Sequence, residues 1–213
     1  MLKSEIRYIL EKPIWVLFLV VVVFYVSGLY MFSHFVWSTD IYESNYKADT
    51  GFENYIDMVR RIDFLRYLLS PMYIFSISII VMGLIKIGLT GNDIDFENKL
   101  LFKIVLIAIF ILSLPLWVKT VWFVLIKESY TMEEVKYFYP FSLLNFFDLS
   151  DMQETMMKAL GKINLYHLAF MAFVAWCIKI YTNVSWWRLF VIVCCTYGFG
   201  LLLLQGIIIL IFI

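Results

Sequence analysis

The chain has 213 residues, of which 63% are hydrophobic and 16% are charged. Ordinary soluble chains are about 45–50% apolar and about 25% charged, so this composition argues against a soluble enzyme. Lys and Arg number 17, as do Asp and Glu, which leaves no net charge to attract nucleic acid. An aromatic share of 19% argues against a disordered chain. The class of protein that this composition favours is a polytopic membrane protein.

The N-terminal segment has apolar residues at helical spacing, followed by Pro13. They are Leu2, Ile6, Ile9 and Leu10. This pattern predicts a short amphipathic helix that lies at the membrane interface as an anchor. The apolar run after Pro13 is longer than the core of a signal peptide, so we expect it to be a permanent membrane span.

Five long stretches with almost no charged residues are predicted to cross the bilayer. A helix needs about 20 apolar residues to cross a hydrocarbon core about 30 Å thick, and it satisfies its own backbone amides there. In chain order the predicted spans are 14–37, 68–85, 104–126, 163–178 and 189–213. The sequence therefore predicts an all-α bundle of five transmembrane helices, forming one membrane domain over residues 1–213. The fourth span is short, and a re-entrant or interfacial helix is its alternative.

Two long loops, 38–67 and 127–162, are predicted on the outer side. In the first, Phe52, Ile56, Val59 and Ile62 are spaced as on one face of a helix that runs toward the second span. We expect this helix to lie on the bilayer surface or on the bundle. A docking face for a partner is the alternative.

The second loop contains an aromatic segment, 137–147, that includes Pro140 and is too short to span. Such a segment is expected at the headgroup level or folded back over the bundle. After it, Ser150 is predicted to cap a short helix with Gln153 at the capping-box position, and Gly161 to end it.

One side of that short helix is predicted to carry Met152, Met156, Met157 and Leu160. Methionine side chains adapt to irregular surfaces and are common in binding grooves. Ordinary packing is the favoured interpretation of this face, and a partner-binding groove is the alternative.

Few polar side chains fall within the predicted spans, and none is Asp or Glu. They include Lys119, Gln205 and His167, with His34 near the end of the first span. Lys119 lies toward the end of its span and is expected to extend to the interface. Gln205 is a candidate interhelical hydrogen bond, and His167 is expected to be packed or hydrogen-bonded.

Small residues recur at four-residue spacing in the last span. Cys194 precedes Gly198, and Thr196 precedes Gly200, which would let another helix approach closely. That helix is either internal or a partner's. Cys177, Cys194 and Cys195 are interpreted as small packing residues and not as a disulfide.

The distribution of Lys and Arg favours a cytoplasmic N-terminus. The short segments on that side are Lys- and Arg-rich relative to their length, with Lys3, Arg7, Lys12, Lys86, Lys99, Lys103, Lys179 and Arg188. An odd number of spans then places the C-terminus outside.

The sequence contains no metalloprotease, nucleotide-binding or serine-hydrolase motif. We therefore expect no enzyme, no catalytic residue, no metal and no cofactor.

Two stretches carry a resemblance to a known family. They are Pro140-Phe-Ser-Leu-Leu-Asn-Phe-Phe-Asp-Leu-Ser and Ala159-Leu-Gly-Lys-Ile-Asn-Leu-Tyr-His-Leu, and the polar loop that begins at Gly91-Asn-Asp-Ile-Asp-Phe adds to them. Over 71–213 the chain resembles the bacterial branch of the Yip family, which is named for interaction with Ypt/Rab GTPases.

The resemblance implies five spans, a cytoplasmic N-terminus and a place in a bacterial inner membrane. The Asp-Leu-Tyr-Gly-Pro motif of eukaryotic members is missing, so a role in vesicle traffic is not implied. Bacterial members resemble accessory membrane proteins, some associated with exporters of the ATP-binding cassette (ABC) type. No catalytic residues carry over.

We therefore expect a non-catalytic accessory or scaffolding subunit whose partners are other integral membrane proteins and the bilayer. The alternative is a lipid or small-solute transporter. It would require Lys119, Gln205, His34 and His167 to converge on one cavity.

Overall fold

The computed structural model describes the backbone of residues 2–37, 52–127, 129–147 and 152–212, and the side chains of 3–37, 58–127, 129–147 and 152–207. Its helices are, in chain order, α1 (Leu2–Glu11), α2 (Ile14–Val36), α3 (Phe52–Thr90), α4 (Asn98–Ile126), α5 (Met132–Tyr137), α6 (Glu154–Lys162), α7 (Leu165–Tyr181) and α8, which begins at Trp186 and continues through Phe199–Phe212. Within these ranges the chain forms no β-strand, and one isolated bridge joins Ser142 to Asn164.

Four helices are long and apolar enough to cross a membrane: α2, the part of α3 from Met58 to Thr90, α4, and α8. Helix α7 is apolar but has 17 residues, a length of about 26 Å. It lies along α4 and α8 and buries Phe170, Val174 and Ile178. The prediction of an all-α membrane bundle is confirmed.

The second span is longer than predicted. Helix α3 has 39 residues and runs without interruption from Phe52 to Thr90, so it extends beyond both predicted boundaries of the span 68–85. The helix predicted within the outer loop 38–67 is its first part, and residues 38–51 of that loop lie outside the described residues. The charged residues before Leu68 end the apolar run but not the helix, because they are compatible with helical backbone. Val59 is half-buried and Ile62 is exposed, whereas the side chains of Phe52 and Ile56 lie outside the described residues.

Helix α4 is the centre of the bundle. It packs against α2, α3 and α7. In its most apolar stretch of 18 residues, 44% of the residues are buried, against 17–28% in the corresponding stretches of α2, α3 and α8. Its core residues repeat at helical spacing and include Leu101, Ile104, Val105, Ala108 and Ile109. Since its neighbours surround it, α4 has core contacts on several sides.

The amphipathic N-terminal helix is confirmed as α1. It packs on the start of α4, where Leu10 is buried, and Arg7 donates a hydrogen bond to the carbonyl oxygen of Ile180 at 3.2 Å. We call the side of the bundle that carries α1, the loop 91–97 and the turn 182–185 the N-terminal face. The opposite face carries 129–147 and 152–164.

Helices α3 and α8 approach closely at Gly88. A Cβ atom on Gly88 would lie 2.4 Å from Cγ2 of Thr196 and 2.9 Å from Cγ2 of Ile192. Both neighbours are β-branched, so their methyl groups have few alternative rotamers to adopt. Gly88 is therefore needed for the packing of α3 on α8.

We expect Gly88→Ala to lower the free energy of unfolding by about 1–3 kcal/mol, because the added methyl group overpacks this contact. Gly83→Ala on the same helix is the matched control, since nothing lies within 4 Å of the added Cβ. It should be neutral or stabilising by up to about 1 kcal/mol through helix propensity. Thermal unfolding in mild detergent checks both variants, and equal melting temperatures would contradict the predicted contact.

Candidate functional site

The second long loop is fastened to the bundle at the start of α5. Thr131 and Glu134 form a capping box, in which the Thr131 hydroxyl accepts from the Glu134 amide and the Glu134 carboxylate accepts from the Thr131 amide. Lys127 pairs with Glu134 at 2.6 Å. The Tyr130 hydroxyl lies 3.4 Å from the carbonyl oxygens of Phe35 and Val36, at the end of α2. The sequence carries the Thr-x-x-Glu signature of this cap, which sequence reasoning missed.

The aromatic segment folds back over the bundle, which is one of its two predicted positions. The Leu143 amide donates to the Ile163 carbonyl at 2.8 Å, and the Leu165 amide donates to the Phe141 carbonyl at 3.0 Å. Phe141 has a φ of 55°, a left-handed backbone that costs a non-glycine residue of order 1–3 kcal/mol. Its ring is nevertheless 63% exposed. The strained backbone at Phe141 therefore places its aromatic ring on the outside of the protein.

The cap and end of α6 differ from the prediction. The helix begins at Glu154, with Gln153 immediately before it and making no side-chain cap, and Ser150 lies outside the described residues. Gly161 does not end the helix, which continues to Lys162. Instead, a Cβ on Gly161 would lie 2.5 Å from the Tyr139 ring, so the absence of a side chain at Gly161 leaves room for that ring.

The predicted methionine face is divided between core and surface. Met157 is buried, Met152 and Leu160 are half-buried, and Met156 is exposed. Helix α6 packs against the C-terminal part of α8 and against the turn Leu143–Phe146. Part of the face is therefore occupied by contacts within the chain.

A lateral groove of about 1030 Å³ lies beside this loop on the opposite face. Its walls are the turn around Leu143–Phe146, the first half of α7 and the middle of α8. The lining includes Phe141, Phe146, Leu165, Leu168, Met171, Cys195, Phe199 and Leu202. Most of these side chains are exposed, with Leu168 at 51% and Phe199 at 58%. The groove is therefore apolar and accessible from outside the bundle.

A polar pair joins α7 to α8 in the wall of the groove. Nδ1 of His167 and the Tyr197 hydroxyl are 2.7 Å apart, and the two rings lie 5.9 Å apart. His167 lines the groove, whereas Tyr197 is buried behind it. Tyr197 lies in a π-helical turn of α8, Cys194–Gly198, and such turns are frequent at functional sites. The expected hydrogen bonding of His167 is observed, and Tyr197 is a partner that the sequence did not indicate.

The other predicted polar residues lie apart from this pair. The Lys119 ammonium is 5.3 Å from the Phe32 ring centre and 5.6 Å from that of Tyr139. The His34 ring stacks on Tyr30 at 5.6 Å. Gln205 is buried, and its Oε1 has no hydrogen-bond partner among the described residues.

Glycines in the predicted small-residue pattern face other helices of this chain. A Cβ on Gly198 would lie 3.2 Å from the Met171 sulfur, and one on Gly200 would lie 3.3 Å from Cδ1 of Leu84. Gly198 also lines the groove. At both positions the helix that approaches α8 therefore belongs to this chain, and not to a partner.

The cysteines are free thiols with different surroundings. Cys177 is buried, Cys194 is half-buried and Cys195 is exposed in the groove. The interpretation as packing residues is therefore wrong for Cys195. Among the described residues, no group of three or more His, Cys, Asp or Glu side chains is placed to hold a metal ion.

Comparisons with protein-family models, with curated proteins and with solved structures find no match to this chain. The fold and the groove define an integral membrane protein with an all-α bundle. The resemblance to the Yip family stays a prediction.

We expect Tyr197→Phe to lower the free energy of unfolding by about 0.6 kcal/mol, the average for hydrogen bonds between membrane helices, and by no more than about 1.7 kcal/mol. The loss follows because Nδ1 of His167 is left without its partner. Tyr73→Phe is the control, since the exposed Tyr73 hydroxyl makes no hydrogen bond within the described part of the chain. In a His167→Leu background, Tyr197→Phe should have a smaller effect. Equal losses in both backgrounds would show that the pair is not coupled.

The link between α5 and α6 should weaken in acid. Lys136 and Lys158 donate to Glu154 at 2.7 and 2.6 Å and lower the pKa of its carboxyl from 4.5 to about 2. Because the folded-state pKa is lowered, these ion pairs stabilise the loop fully above pH 4.5, and their contribution is lost as the pH falls toward 2. Hydrogen exchange of the 154–162 amides, compared with Glu154→Gln at each pH, measures the effect. The two proteins should converge below about pH 2, and a constant difference would contradict the assignment.

Proposed function

We propose that this protein is a non-catalytic accessory or scaffolding subunit that binds another integral membrane protein through the lateral groove. We also propose that it resides in a bacterial inner membrane, with the N-terminus cytoplasmic and the C-terminus outside. The resemblance to bacterial Yip proteins and the distribution of Lys and Arg support this placement. An ABC-type exporter or an envelope transport assembly is the class of complex that the resemblance suggests.

The observation that carries the proposal is the exposed apolar lining of the groove. Lipid-facing helices expose apolar side chains in general, so the concave shape of the groove between α7 and α8 is what distinguishes it as a binding site. Its outer wall is held rigidly, because the backbone hydrogen bonds of Leu143 and Leu165 tie the aromatic segment to the start of α7. The strained backbone at Phe141 presents a further ring at the rim. A preformed wall reduces the conformational entropy that binding would otherwise remove.

The transporter alternative receives less support. Lys119, His34 and His167 have separate aromatic or hydrogen-bonding neighbours, and within the described side chains no hydrogen bond or ring contact joins any of them to another or to Gln205. A polar pathway at membrane depth would need such groups to converge. Measurable solute or lipid flux in liposomes that contain the purified protein alone would favour this alternative.

A photoreactive phenylalanine at Phe199 or Leu168 tests the groove in native membranes. We expect both positions to form adducts with the same membrane protein, whereas Leu204, which is 54% exposed on α8 but outside the groove lining, should not. Cys195→Trp should fill the groove and reduce both the adduct and co-purification about tenfold, as expected for overpacking at an interface. Leu204→Trp is the matched control and should change neither.

Adducts formed equally at Leu204, or a stable monomer with no co-purifying protein and no adduct at Phe199, would contradict the proposal. Adducts with lipid alone would favour the lipid-handling alternative.

A further inference from the structure

The N-terminal face has a second, chemically different site where α1, α2 and α4 meet. Helix α1 lies against the start of α4, and after Pro13 the chain turns into α2. This corner places Lys99 and Lys103, one helical turn apart on α4, next to the end of α1. Neither lysine is used by the lateral groove.

Lys103 is a buried cation without a carboxylate partner. Its side chain is among the buried charged groups at 8% exposure, and its ammonium donates to the Leu10 carbonyl oxygen at 2.6 Å. No described acid lies within ion-pair distance of it. An ammonium has three donors, and burying its charge without a counter-ion is unfavourable. The site therefore favours an anion.

Two adjoining cavities share Glu11, Lys99 and Lys103. The larger, of about 640 Å³, has a wall of large apolar side chains that includes Trp15, Phe18, Phe75 and Phe102. The smaller, of about 480 Å³, is lined by Arg7, Glu97 and Tyr181 among others. The cations Arg7, Lys99 and Lys103 outnumber the carboxylates Glu11 and Glu97. Charged and aromatic surfaces thus meet at the two lysines.

The shape of this site matches one ligand class. Trp15 and Phe75 are exposed and belong to helices that cross the membrane, so the aromatic wall faces acyl chains. The lysines lie in the first turns of α4, at the level where lipid phosphates are found. A free anion would satisfy the lysines but would leave the aromatic wall without a partner.

We propose that Lys99 and Lys103 hold the phosphate of an anionic phospholipid whose acyl chains lie against Trp15, Phe18, Phe75 and Phe102. The lipid supplies the counter-charge that Lys103 lacks and joins the corner of α1 and α2 to α4. This site is independent of the lateral groove.

Lipid binding to the purified full-length protein tests the proposal, with phosphatidylglycerol and phosphatidylcholine as probes. Native mass spectrometry and melting temperature in detergent report binding and stabilisation. We expect phosphatidylglycerol to bind more tightly than phosphatidylcholine and to raise the melting temperature. Lys99→Gln should weaken phosphatidylglycerol binding about fivefold, since one basic residue near a lipid surface contributes about that factor.

Lys179→Gln is the matched control, because Lys179 is exposed on the same face but lines neither cavity. It should leave lipid binding unchanged. Lys103→Gln should weaken binding further, and if that variant fails to fold, Lys99→Gln still decides the outcome. Cys195→Trp in the lateral groove should keep full phosphatidylglycerol binding, which separates this proposal from the proposed function.

Three results would overturn the proposal. The first is equal affinity for the two lipids, and the second is an equal loss in Lys99→Gln and Lys179→Gln. The third is inorganic phosphate that displaces phosphatidylglycerol completely at low millimolar concentration, since this would show that the site takes a free anion.

Discussion

The burial of α4 is the constraint on which the rest of the bundle depends. In a bilayer, lipid tails are as apolar as leucine side chains, so helices associate through close packing and not through the hydrophobic effect. Helix α4 provides that packing for α2, α3 and α7 at once. The first half of α7 and the adjoining part of α8 then form two walls of the lateral groove. The position of the groove therefore depends on the packing of α7 against α4.

The charged residues at the two ends of the bundle differ in their partners. On the opposite face, charged residues pair with one another, as Lys127 does with Glu134. On the N-terminal face Lys86 pairs with Asp95 at 3.6 Å, but Lys103 bonds to the carbonyl oxygen of Leu10 and Arg7 to that of Ile180. A carbonyl accepts a hydrogen bond but carries no full charge, so it only partly compensates a buried cation. Lys103 is therefore suited to an anionic ligand.

Much of the fold was predictable from the sequence, because apolar length alone identifies membrane helices. The helix boundaries were less predictable. Charge before Leu68 marked the end of the apolar run, yet α3 continues through it to Phe52. The lateral groove could not be predicted, since its lining comes from three segments distant in sequence. His167 and Gly198 were identified as candidates individually, but only the fold shows that both line one groove and that Tyr197 holds His167.

The π-helical turn at Cys194–Gly198 changes which side of α8 faces the protein. On a regular α-helix, Val193 and Gln205 would point about 120° apart around the axis. The turn absorbs one extra residue, which reduces that angle to about 20°. Both side chains are buried, so the irregular turn keeps a single inward face along the helix. Deleting one residue within this turn would therefore restore a regular helix and leave Gln205 pointing inward, because Val193 and Gln205 would then be about eleven residues and about 20° apart around the axis. Straightening the turn without a deletion would instead rotate the helix beyond it by about 100° and carry Gln205 toward lipid.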